Sequence, residues 1–119
     1  MEITIYINSN LGESLGFGYE NFDADYTEAD VYYDMSESFY ENYYQFDASL
    51  EKLREELNSL CTDDTDDDTR FELAREIVVE KANPITAEII VNNEPSNYEF
   101  PYNLKTIFTD MITNDIYRK

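Results

Sequence analysis

Carboxylates and phenols are the groups with which this chain can do chemistry. Among 119 residues it has 27 Asp and Glu, eleven Tyr, one Cys and no His. General acid–base catalysis most often uses His, so its commonest agent is missing. Cys61 has no imidazole to activate it as a hydrolase nucleophile. Any two of so many carboxylates could serve as a glycosidase pair, and a chance pairing therefore carries no weight. No Gly-Lys-Ser phosphate cradle and no Cys/His zinc spacing occurs. Gly16-Phe17-Gly18 is a lone pair of glycines, too little for a nucleotide loop. The expectation is a protein without catalysis and without a cofactor.

The run Asp63-Asp64-Thr65-Asp66-Asp67-Asp68 invites a calcium reading. A loop of EF-hand type beginning at Asp64 puts Asp66 and Asp68 at its third and fifth positions. Its sixth position is then Thr69, where Gly makes the sharp turn. Its twelfth is Arg75, where a bidentate Glu closes the shell. No metal site is expected, and the run reads as a helix break whose aspartates cap the next helix.

What the carboxylates do follows from their distribution. From Met1 to Glu51 there are twelve acids and not one Lys or Arg; after Glu51 fifteen acids face eight bases. The net charge is −19, against about 2 to 8 in magnitude for an ordinary small domain. Such an excess repels itself and destabilises the compact state. Nucleic acid and anionic membranes would be repelled, because binding a phosphate backbone requires bases that displace counterions. The partner this charge suits is a basic protein. Aromatic content of 15% separates the chain from disordered acidic tails, and rings alternate with acids in Phe22-Asp23-Ala24-Asp25-Tyr26 and Tyr32-Tyr33-Asp34. A single Cys fits a reducing cytosol. The start, Met1-Glu2-Ile3-Thr4, lacks the form of a signal peptide, and no apolar run approaches the roughly 20 residues that span a bilayer. A cytoplasmic protein is expected.

The elements that must position these groups are read from periodicity. Residues 2 to 8 form a strand with Ile3, Ile5 and Ile7 on one face. All three glycines fall within residues 9 to 18, which reads as a mobile loop or bulged turn. Residues 19 to 35 stay open between a short strand at Val31 to Tyr33 and an irregular lead into a helix. From Ser36, as N-cap, to Leu60 the residues Phe39, Tyr43, Phe46, Leu50, Leu53, Leu57 and Leu60 recur at spacings of four and three. This predicts one long amphipathic helix. A helical hairpin or a coiled-coil dimer is the alternative. A second helix is expected over 70 to 82, ended by Asn83-Pro84. A strand over Ile85 to Asn92, a turn over 93 to 97 and a partner strand over Tyr98 to Tyr102 follow. A last helix runs from Leu104 to Tyr117. The order β-α-α-β-β-α predicts a single α+β domain with a small, mostly antiparallel sheet.

On the long helix the acids take the side opposite the apolar stripe. Glu37, Glu41, Asp47, Glu51 and Glu55 would then span about 27 Å of axis, with Tyr40 and Tyr44 among them. Asp23, Asp25, Asp30 and Asp34 would extend the array from the preceding segment. Glu37, Tyr40, Glu41, Tyr44, Asp47, Glu51, Asp23, Asp25, Asp30 and Asp34 are the expected partner-binding residues. The bland alternative is a solvated face kept acidic for solubility.

In size, acidity and aromatic content the whole chain resembles the DNA-mimic inhibitors of phages and mobile elements, which include anti-restriction and anti-CRISPR proteins. The resemblance rests on no sequence motif. It implies a stoichiometric inhibitor that fills the DNA- or RNA-binding groove of a bacterial defence nuclease, with a CRISPR effector favoured over a restriction nuclease on size. An immunity protein or antitoxin for a basic toxin is the alternative. A third reading makes the apolar stripe an oligomer seam, so both monomer and homodimer stay open.

Overall fold

The computed structural model describes residues 1–23 and 25–118. Ala24, inside the first ring-and-acid alternation, lies outside the described residues. Strand β1, Ile3–Ser9, alternates as its sequence requires, with Ile3, Ile5 and Ile7 buried on one face. It forms one of the two inner strands of an antiparallel sheet ordered β2-β1-β3-β4, with β2 at Gly12–Tyr19, β3 at Thr86–Val91 and β4 at Glu94–Pro95. Residues 9 to 18 are thus a tight hairpin and strand, not a mobile loop; the bulged-turn alternative matches the register shift between Ile7 and Ser9 where β1 meets β2. The glycines serve close approach. A Cβ on Gly16 would lie 2.9 Å from the Tyr6 ring, and one on Gly18 would lie 2.9 Å from the Ile3 carbonyl oxygen. Leu15 and Tyr19 carry the buried side of β2.

The predicted helix over 36 to 60 is two helices. Helix α1, Glu28–Glu41, begins nine residues earlier, at a capping box: the Thr27 side chain accepts from the Asp30 amide and the Asp30 carboxylate accepts from the Thr27 amide. Ser36 is therefore not the N-cap. Asn42 ends α1, its Nδ2 donating to the Ser38 carbonyl at 2.8 Å. A single 3-10 turn, Tyr43–Gln45, leads into α2, Asp47–Leu60. The apolar stripe runs through this break. Phe39, Phe46, Leu50, Leu53 and Leu57 are buried, Tyr43 is half-buried and Leu60 is exposed.

Helix α3, Asp67–Ala82, is capped by Asp66, whose carboxylate accepts from the Thr69 amide at 2.7 Å. That confirms the break-and-cap reading of the aspartate run. Asn83-Pro84 follows its end. The turn between β3 and β4 is Asn92-Asn93, both with positive φ, as tight hairpins require. The partner strand is only Glu94–Pro95, so Tyr98 to Tyr102 is not a strand. Instead, Phe100 packs on Phe22, and the Tyr102 hydroxyl donates to the Tyr26 carbonyl. Helix α4, Leu104–Arg118, packs against β1, β3 and the other three helices. Among the described residues the fold is α+β, with four α-helices and a four-stranded antiparallel sheet. The expected order holds apart from the extra N-terminal strand and the divided helix.

Candidate functional site

Helix α1 sorts its side chains by the 3.6-residue period. Val31, Met35 and Phe39 are wholly buried. Asp30, Asp34, Glu37 and Glu41, at spacings of four, three and four, fall within about 60° of one another on another face. They extend over about 16 Å of axis, one carboxylate per turn. No Lys or Arg occurs in α1, in the 3-10 turn or in the hairpin. The helix carries Glu28 and Asp30 in its first turn, where acids suit the dipole, and no base in its last turn, where Glu41 stands.

Rings flank this row. Tyr33 is 68% exposed, Tyr40 60% and Tyr44 76%. Large side chains so open to water are available for contact. Tyr33 was absent from the sequence-expected set. It precedes Tyr40 by two turns on the same face, a signal legible once Thr27 is known to cap the helix.

Glu37 and Glu41 form a ridge between two grooves. One, of about 600 Å³, lies between α1 and the β2 edge and is lined also by Gly16, Gly18, Tyr19 and Asp34. Here the Ser38 hydroxyl donates to the Gly16 carbonyl at 2.7 Å, tying helix to strand. Burial, then the neighbouring Asp34 carboxylate, pushes the Tyr19 phenol well above its ordinary range. The other groove, of about 880 Å³, lies between α1 and α4 and is lined by Tyr32, Tyr33, Tyr40, Met111, Asn114 and Arg118 among others. At its floor Asp115, only 4% exposed, accepts from Arg54 Nη2 at 2.6 Å and from the Tyr43 hydroxyl at 3.1 Å. Arg54 is thereby neutralised internally and does not relieve the acidic face.

The structure divides the ten expected contact residues. Asp34, Glu37 and Glu41 line one groove, and Glu37, Tyr40 and Glu41 line the other. Asp30 shares their helix face but is engaged in the capping box. Asp23 and Asp25 lie in the turn before α1, where the Asp23 carboxylate accepts from the Asp25 amide. Tyr44 projects from the 3-10 turn, and Asp47 and Glu51 belong to α2. The single helix expected to carry a 27 Å face from Glu37 to Glu55 is interrupted after Glu41, where Asn42 and a 3-10 turn separate α1 from α2.

Among the described residues no three His, Cys, Asp or Glu side chains gather as a metal site, and no helix is long and apolar enough to cross a membrane. No protein-family model, no curated protein and no solved structure matches the chain.

Proposed function

We propose that this protein is a charge decoy: a stoichiometric inhibitor that enters the nucleic-acid groove of a bacterial defence nuclease, a CRISPR effector in the favoured case, inside the host cell. The observation that carries the reading is the row Asp30, Asp34, Glu37 and Glu41 on one helix face, with exposed Tyr33 and Tyr40 beside it and no base along the helix. One carboxylate per turn gives about 60% of the axial charge density of a single DNA strand, at one phosphate per ~3.4 Å.

Shape supports the same reading. The Cα extents are 50 × 26 × 23 Å, with a radius of gyration of 15.4 Å, against about 13.5 Å for a compact chain of this length. A duplex 50 Å long carries about 29 phosphates, and a net charge of −19 is about two-thirds of that. Carboxylates would pair with the partner's Arg and Lys side chains, long-range attraction would speed encounter, and the rings would slow dissociation.

Inhibition assays against purified restriction nucleases and guide-loaded CRISPR effectors test this. The expected inhibitor acts at one-to-one stoichiometry, is displaced by duplex DNA and weakens steeply with salt. An inhibitor that saturating DNA fails to displace would instead be of the immunity-protein kind, and the decoy reading would fall.

A further inference from the structure

We infer that the groove between α1 and α4 is a socket for an arginine side chain of the basic partner. This rests on the decoy reading and adds to it the contact that selects one cation over another. The walls are phenol rings. Tyr32 is fixed by Asn114, whose Nδ2 donates to its hydroxyl at 3.0 Å. Tyr40 lies nearly parallel to Tyr43, at 10° between planes and 6.2 Å between centroids. Tyr33 and Tyr40 are mostly open to water, so ring surface is available without rearrangement, on Tyr40 the side turned away from Tyr43. Glu37 and Glu41 line the same groove.

Charge complementarity selects the occupant. Ring faces carry negative quadrupole, and the neighbouring carboxylates add full negative charge, so a cation is attracted and an anion repelled. A planar, weakly hydrated guanidinium both stacks on rings and forks onto a carboxylate, whereas an ammonium is a compact, strongly hydrated point charge. The chain supplies its own precedent at the groove floor, where the Arg54 guanidinium meets the Tyr43 hydroxyl and the Asp115 carboxylate. Arg118 lines the groove as well, so it opposes an incoming arginine.

Oligo-arginine and oligo-lysine peptides of equal length provide the probe, titrated by fluorescence anisotropy at an ionic strength of about 0.15 M. The arginine peptide should bind about tenfold more tightly. Tyr33→Ala with Tyr40→Ala should bring the ratio near one while leaving the lysine peptide almost unaffected. Tyr33→Leu with Tyr40→Leu, which keeps apolar bulk and removes only the ring faces, should do the same and guards against misfolding. Arg118→Gln should tighten the arginine peptide. Equal binding by the native protein, or a preference that survives loss of both rings, overturns the socket and leaves the decoy reading standing. Failure to bind either peptide overturns both.

Discussion

Neutralising the ridge should make the protein more stable and a poorer binder. In the variant E37Q/E41Q two like-charge pairs disappear: Asp34 with Glu37, and Glu37 with Glu41. Such pairs at three and four residues cost about 0.2–0.5 kcal/mol each. Glu41 also ends α1, facing the negative pole of the helix dipole with no base in the last turn. Removing an acid there returns about 0.3–1 kcal/mol. Gln and Glu have nearly equal helix propensity, so little offsets the gain. The sum is about 1 kcal/mol, or a rise in Tm of about 4 °C for a chain of this size. Scanning calorimetry at about 0.01 M salt, where the Debye length is about 30 Å, should show the full effect. In 1 M salt the Debye length is about 3 Å, shorter than one helical turn, and the gain should shrink by more than half. An unchanged or lower Tm at low salt, or a gain indifferent to salt, would refute the argument that these acids strain the fold. If the gain appears together with loss of partner binding, stability has been exchanged for function.

Asp115→Ala should lower the urea midpoint sharply. It strips the Arg54 guanidinium, whose side chain is 14% exposed, of its carboxylate, at a cost of about 3–5 kcal/mol; replacing both by apolar residues should cost much less. Gly18→Ala should destabilise by about 1–3 kcal/mol, read by chemical denaturation, because its Cβ meets the Ile3 carbonyl oxygen of the paired strand at 2.9 Å. The raised Tyr19 phenol sets an alkaline limit. Its neutral form is favoured in the folded state, so its contribution is full below a pH of about 10 and is lost as pH rises further. Tyr19→Phe should flatten the fall of Tm between pH values of about 8 and 12.

Much of the architecture was legible where one residue pattern admits one structure. Ile3, Ile5 and Ile7 alternate at a period that only a strand satisfies, and the Asp66 cap and the core of α4 followed from local chemistry. The reading failed where a pattern admits two structures. Three glycines read as a mobile loop or a bulged turn because glycine is common in both, and neither predicts a strand. In β2, Gly16 and Gly18 instead make room for the Tyr6 ring and the Ile3 carbonyl, groups distant in sequence. The stripe from Phe39 to Leu60 reads as one helix because its spacings of four and three continue without interruption. A 3-10 turn preserves spacings of three, so the stripe remains buried although the α-helix is interrupted. The capping box Thr27-Glu28-Ala29-Asp30 was readable in advance and would have placed Asp30, Tyr33 and Asp34 on the helix that carries Glu37 and Glu41.

The chain alone determined the amount and sign of charge, the absence of bases before Lys52 and the identity of the helix faces. These depend on composition and on the fixed period of the helix. The tertiary structure decided which carboxylates stand together. It divided the expected row at Asn42, closed Arg54 onto Asp115, and set tyrosines of α1 beside α4 to form a groove. Groups separated by dozens of residues come together only through packing, which local propensity does not specify.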